Sequence, residues 1–448
     1  MTMSPNPERE PRSLLAALDN DGLLAFHARA AAAHAAFAER GLALDMTRGK
    51  PAPEQLDLCN ALLELPGSGQ GAWRAADGAD CRNYFGDLRG RPEARALFTD
   101  MVGAPVEQIL IGGNSSLALM HDAIVHALLQ GVPGGTAPWA SGGPVSFLCP
   151  SPGYDRHFAI CEGYGIRMIP VPFTGQGPDM AVVEHLVAED AGIKGMWCVP
   201  KYSNPTGETY ADDVVERLAA MPTAAADFRL FWDNAYAVHH LDGAPARLAN
   251  VLQACRRHGH ADRALVFAST SKITFAGAGL AVLASSPDNM AWFTSRMARR
   301  TIGPDKLNQL RHVRLLRDGA GIASLMAAHR RILAPKFRRV GEIFAARLGG
   351  YEVATWNQPG GGYFINLDVA DGAAARTVAL ARQAGIALVP AGRTFPYGRD
   401  PHDRNIRIAP SFPPLDEVAL AVEGVALSVL LAASAALLRR RGLAGETT

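Results

Sequence analysis

The sequence predicts an α/β protein: a large domain on a mostly parallel sheet flanked by helices, followed by a smaller α+β domain. Three observations carry this. From about Ala104 to Ser286, short runs rich in Val, Ile, Leu and Phe alternate with helical patterns: "QILIGG", "PVSFLCP", "RMIPVPF", "GMWCVP", "RLFWD", "RALVFAS" and "LAVLAS". Short apolar strands separated by helices are what a sheet buried on both faces requires. The last hundred or so residues change character and mix strand-like runs ("GGYFINLDV", "IALVPAG", "NIRIAP") with helices. Finally, 448 residues, 48% hydrophobic and 19% charged, suffice for a large core and more than one domain.

Along the chain, the polar start "MTMSPNPEREP" lacks the apolar stretch of a signal peptide. Residues 13–40 are alanine-rich and helix-prone, and "GLALDMTRGKP" then enters an irregular loop. "GVPGGTAPWASGG" (Gly131–Gly143) reads as a flexible surface loop. Residues 290–345 are basic and mostly helical. Val418–Leu438 approaches the length of a membrane span, but it is alanine-rich, contains Glu423 and follows "SFPPLDE", so a core-packed C-terminal helix is expected. The expected division is residues 1–59 joining the small domain, 60–320 as the large domain and 321–448 as the small domain.

A net charge of +1 gives no field for nucleic acid or an acidic membrane. Six scattered cysteines without a C-x-x-C pair suit reduced thiols in the cytoplasm rather than a disulfide framework or a zinc site.

Ligands of open α/β sheets bind outside the carboxyl ends of the strands. There the chain offers Asn204 in "KYSNPTGE", Asp233 and Tyr236 in "DNAY", Lys272 in "STSK" and a helix start at Asn114, Ser115 and Ser116. Singly, each has a plain structural explanation: a turn residue, a cap, packing, a solvated charge. Together they meet the demands of a phosphorylated aldehyde cofactor. Helix N-terminal N–H groups cradle phosphate. A lysine of lowered pKa bonds covalently to a carbonyl carbon. A carboxylate pairs with a protonated pyridine nitrogen.

In order, "NYFGDLRG", "GGNSSLALMHD", "PSPGYDRHF", "YSNPTGE", "DNAYAVHHL", "STSKITFAGAG" and "IRIAPSFP" resemble the fold-type I pyridoxal 5′-phosphate enzymes of the aspartate aminotransferase superfamily. The resemblance runs from "TRGKP" to "NIRIAPSF" and is nearest to a divergent bacterial branch of aspartate aminotransferases. It implies a seven-stranded, mostly parallel sheet in the large domain. It also implies that Lys272 holds the cofactor and moves the α-proton, and that Asp233 pairs with the pyridine nitrogen. Tyr236 and Asn204 would contact the ring oxygen, and Tyr154 would stack on the ring. Asn114, Ser115, Ser116 and Ser269 belong to the phosphate cradle. Tyr84 would reach the neighbouring subunit's phosphate in a homodimer with shared sites. Arg407 would bind the substrate α-carboxylate, and Gly49 would let its loop approach the substrate. The substrates implied are an amino acid, aspartate by branch resemblance, and a 2-oxo acid such as 2-oxoglutarate. Lys306 and Arg48 are the candidates for a second carboxylate. One departure stands out: where many relatives carry a phosphate-binding arginine, this chain has Leu280.

Other readings remain open at this level. A PLP-dependent lyase or decarboxylase would use the same cofactor residues, as would an aminotransferase of other specificity. A cofactor-binding regulator is a further alternative, although about forty residues before "TRGKP" leave little room for a DNA-binding unit. "GAG" at Gly277–Gly279 lacks the third glycine of a dinucleotide loop. His239-His240 does not have metal-ligand spacing and reads as a solvated loop. The arginines of 296–317 read as the wet face of helices.

Overall fold

The computed structural model describes residues 14–84 and 86–443. The whole of the polar start, Phe85 of "NYFGDLRG" and residues 444–448 lie outside the described residues.

Each apolar run of the large domain is a strand: β2 (Ile109–Ile111), β3 (Ser146–Ser151), β4 (Arg167–Pro172), β5 (Ile193–Cys198), β6 (Arg229–Asp233), β7 (Ala264–Ser269) and β8 (Ala281–Ala284). They form one seven-stranded sheet in the order β2-β8-β7-β6-β5-β3-β4, with β8 antiparallel to both its neighbours. Every residue of β3, β6 and β7 is buried, which is why these runs are continuously apolar instead of alternating. β4 lies at the edge, where its Pro170 and Pro172 cost no ladder hydrogen bond on a missing neighbour. Two apolar layers cover the two faces of the sheet. The 131–143 loop lies at the surface, where Trp139 pins it: this residue is 2% exposed and packs on Phe147 at 5.9 Å. Burial of one indole offsets the loop's glycine content.

The smaller α+β part contains an antiparallel sheet of β9 (Ala354–Trp356), β10 (Ile365–Val369) and β12 (Asn405–Ile408), and a parallel pair of β1 (Leu44–Asp45) with β11 (Ile386–Ala387). β1 brings the N-terminal segment against the C-terminal part. The helix Leu415–Arg440 is apolar enough for a membrane span by composition, but 67% of its most apolar window is buried. It packs between the helices Asn20–Ala38 and Gly319–Leu348, and Gly424 permits this contact: a Cβ there would lie 2.6 Å from the Phe37 ring. The helix Gly319–Leu348 joins both cores, with Ile322 and Met326 in one and Phe337 to Leu348 in the other. The carboxyl ends of the large sheet are thereby held facing β12 and the 47–50 loop.

Candidate active site

One cavity of about 680 Å³ opens between the strand ends and the smaller domain. Its lining includes Arg48, Gly49, Ser115, Ser116, Tyr154, Asn204, Asp233, Tyr236, Ser269, Lys272 and Arg407. Residues up to 359 positions apart in sequence thus meet in one place.

Asp233 terminates β6 and is 3% exposed. Its Oδ2 accepts a hydrogen bond from His157 Nε2 at 3.1 Å, while its Oδ1 is buried with no partner. His157 is fixed by its ring stack on Trp197, with centroids 4.3 Å apart and planes 9° from parallel. Lys272 follows β7 and the hydroxyl turn Ser269-Thr270-Ser271. Its Nζ lies 5.0 Å from the Tyr236 ring centroid and 6.0 Å from that of Tyr363. Burial lowers the Lys272 pKa from its ordinary value and the Asp233 charge partly opposes this, so a larger share of the amine is neutral and nucleophilic. Burial also raises the Tyr236 phenol well above its usual range, with Tyr154 and Asp233 adding to it. Tyr154 is pushed up to about 12, by burial first and then by Asp233 and Asp155. Both phenols therefore stay protonated as hydrogen-bond donors.

Arg407 comes from the small sheet. Its Nη1 reaches Asn204 Oδ1 at 3.4 Å and Asp155 Oδ1 at 3.5 Å, and its Nη2 reaches the Thr47 carbonyl at 3.5 Å. The guanidinium lies 4.8 Å from the Phe364 ring centroid, and its Nε is buried without a partner. Gly49 presses against this same ring: a Cβ would stand 2.8 Å or less from two Phe364 carbons.

Three candidates fall outside the cavity lining. Asn114 donates its amide to the Gly277 carbonyl at 3.0 Å and so ties down the glycine turn after Lys272. Tyr84, 71% exposed, and Lys306 line a different cavity of about 860 Å³, where Lys306 Nζ donates to the Tyr84 carbonyl at 3.4 Å. Ser115, within the lining, caps the helix Ser116–Gln130 through Ala118 N. Leu280 is core, 2% exposed, and its N–H donates to Thr270 Oγ1 at 2.8 Å. The His239-His240 pair is not a solvated loop. His239 is 3% exposed and bonded to the Lys272 carbonyl, and His240 bonds to the Tyr202 hydroxyl. These two bonds tie the loop after β6 to the Lys272 carbonyl and to Tyr202.

Sequence reasoning missed several lining residues. Ser271 adds a hydroxyl 3.0 Å from that of Ser269, and its place beside Lys272 was a usable signal. Asp155 holds Arg407 and, at 3.7 Å, Arg393. Lys50, Arg156, Arg393 and Phe364 complete the wall. His157, which braces Asp233 from outside the lining, was not singled out by the sequence.

The cavity fits pyridoxal 5′-phosphate. It holds an acceptor, Asp233 Oδ1, and a donor, Arg407 Nε, that are buried and unsatisfied. Such atoms are costly unless a ligand meets them, and a protonated ring nitrogen and a carboxylate would do so. Ser115, Ser116, Ser269 and Ser271 supply hydroxyls for a phosphate at the helix start.

The comparisons agree with this geometry. The family model described as aspartate amino-transferase matches residues 18–441. A Mycolicibacterium smegmatis protein named as an aminotransferase is 54% identical over 421 residues, covering 94% of this chain and 98% of its own. An aspartate aminotransferase of Corynebacterium glutamicum is 48% identical over 395 residues, 88% of this chain and 90% of its own. The crystal structure of an aspartate transaminase from Corynebacterium glutamicum superposes with a TM-score of 0.92 at 46% identity, covering 94% of this chain and 99% of that one. With the lysine, the carboxylate and the arginine converging on a cavity shaped for the cofactor, the chain belongs to the aspartate aminotransferase family of fold-type I aminotransferases.

Proposed function

We propose that the protein transfers the amino group of aspartate to 2-oxoglutarate with pyridoxal 5′-phosphate as cofactor. The observation that carries the dicarboxylate reading is the charge of the cavity. The cations Arg48, Lys50, Arg156, Arg393 and Arg407 face only Asp155 and Asp233 among its lining residues. That excess suits a phosphate together with a substrate bearing two carboxylates.

When bound, the cofactor supplies an aldehyde carbon to take up the amino group and a ring to hold the electron pair released at Cα. The chain does the rest. Arg407 grips the α-carboxylate and, held by Asn204 and Asp155, orients the substrate. Lys272, as a neutral amine, takes the proton from Cα and would return it to the carbon that the cofactor's aldehyde supplies, two atoms away. Asp233, braced by His157, keeps a positive charge favourable at the ring nitrogen. Tyr236 and Asn204 would donate toward the ring oxygen, and Tyr154 would cover the ring face. A panel of amino donors against 2-oxo acceptors tests the reading: aspartate with 2-oxoglutarate should give the highest kcat/KM, and a preference for alanine or an aromatic donor would overturn the dicarboxylate assignment.

The proposal includes a cytoplasmic homodimer whose subunits complete each other's sites through Tyr84. Support comes from the exposure of Tyr84 and of Ile302 (60%) beside the second cavity, and from six buried, unpaired cysteines. Lys272→Ala and Tyr84→Phe proteins, mixed and refolded together, should regain part of the activity that each lacks. Full activity of a monomer at high dilution would exclude it.

A further inference from the structure

The carbonyl oxygen of Lys272 is held by side chains. It accepts from His239 Nε2 at 3.3 Å and from the Tyr363 hydroxyl at 3.4 Å, and no backbone hydrogen bond among those of the described turns and loops reaches it. The direction of this bonding can be deduced one group at a time. The Ala52 N–H donates to Gln55 Oε1 at 3.0 Å, which fixes the orientation of a fully buried amide. Gln55 Nε2 must then donate both its hydrogens, one to Tyr363 Oη at 2.9 Å and one to His329 Nδ1 at 2.8 Å. Tyr363 Oη, already accepting, has its own hydrogen left for the Lys272 carbonyl. His329, accepting at Nδ1, carries its hydrogen on Nε2; His239, donating from Nε2, has a bare Nδ1. Those two ring nitrogens are the ones buried without partners. Burial lowers the pKa of both rings and keeps them neutral.

The chain of bonds joins separate parts of the molecule. Ala52 and Gln55 follow the 47–50 loop that lines the substrate cavity, and His329 belongs to the helix shared by the two cores. Tyr363 adjoins Phe364, the ring that packs under Gly49 and Arg407.

We propose that Tyr363, Gln55 and His239 are positioning residues for the catalytic lysine, forming a one-way hydrogen-bond relay that fixes the Lys272 backbone and with it the direction of its amine. The proposal rests on the reading of Lys272 given above. The turn's own bonds, from Ile273 N and Thr274 N to the Thr270 carbonyl, bypass the Lys272 carbonyl, so a lysine that must both hold the cofactor and move a proton has that carbonyl fixed from outside the turn. Misplacing a reacting group by as little as an ångström costs rate rather than binding.

The test uses the enzyme reconstituted with pyridoxal 5′-phosphate. Tyr363→Phe, which keeps the ring and removes the donor, should lower kcat about tenfold while KM for the amino donor changes less than about twofold. It should also move the midpoint of the pH titration of the bound-cofactor absorbance, which a purely structural role would leave in place. His239→Gln retains a donor and should stay near the parent in both readouts, whereas His239→Leu should follow Tyr363→Phe. Parent-like kcat and titration in Tyr363→Phe and His239→Leu would overturn the relay whatever their Tm; if Tyr363→Phe does not fold, the two His239 variants carry the same decision. Failure of the underlying reading is told apart because it appears in the unmutated enzyme, as absence of a borohydride-reducible cofactor bond on Lys272.

Discussion

At the floor of the cavity, charged and phenolic groups come from strand ends and are held by buried neighbours. Asp233 is bonded to His157, which is stacked on Trp197, and Lys272 lies against the Tyr236 ring. At the mouth, Arg48, Lys50, Arg156 and Arg393 are exposed and stand on loops or the start of a helix. Lys50 rests its amine 3.7 Å from the Phe412 ring centroid, and Arg393 shares Asp155 with Arg407. At the floor, burial shifts the pKa values of Lys272, Tyr236 and Tyr154, whereas the mouth keeps its charges solvated and adaptable. On the proposed mechanism the difference separates two properties: chemistry belongs to the rigid sheet ends, and substrate choice to the loops.

The sharpest way to break the floor is Lys272→Ala. Activity should fall by a factor of about a thousand or more, and mass spectrometry after borohydride treatment should find no cofactor attached to the chain. A reducible adduct in that variant would assign the covalent bond to another residue.

Substitutions around the carboxylate site should separate floor from mouth. Arg407→Ala is expected to lower kcat/KM for aspartate and alanine alike, by about a hundredfold, because a two-pronged charged contact is lost for every amino acid. Arg48→Ala or Arg393→Ala should cost aspartate about tenfold and alanine little, since exposed charges contribute about 1 kcal/mol. Equal losses for the two substrates at both mouth positions would remove the mouth from substrate choice.

The smallest effect concerns stability. Burial pulls the His329 pKa from the usual 6.5 to about 4, and the same cause acts on half-buried His240. Between those values the unfolded chain binds protons that the folded chain does not, so stability should fall as pH drops from about 6.5 toward 4. In urea unfolding, His329→Gln should flatten that slope by up to about one proton; an unchanged slope would mean that His329 is charged in the folded protein.

Much was legible beforehand, for reasons that differ by residue. The strands of the large sheet could be read because burial on both faces leaves a continuous apolar run. Asp233, Lys272 and Asn204 could be placed at the strand ends because Asp233 closes such a run and the other two lie in the turns that leave one. β1 and β9, of two and three residues, are too short to show a period. Lys306 and Arg48 looked alike as lone cations near loops, yet only Arg48 lines the active-site cavity of its own chain.

By itself, then, the sequence determined the layers, the strand ends and the residues that must carry charge or donate at them, because hydrophobic patterning and residue chemistry are local properties. Only the tertiary structure decided the partners. His157 meets Asp233 across 76 positions, and Gln55 meets His329 across 274 and Tyr363 across 308. No local pattern encodes such pairs. A buried polar atom must find a partner wherever packing has placed one, and that choice is made only when the two cores close on each other.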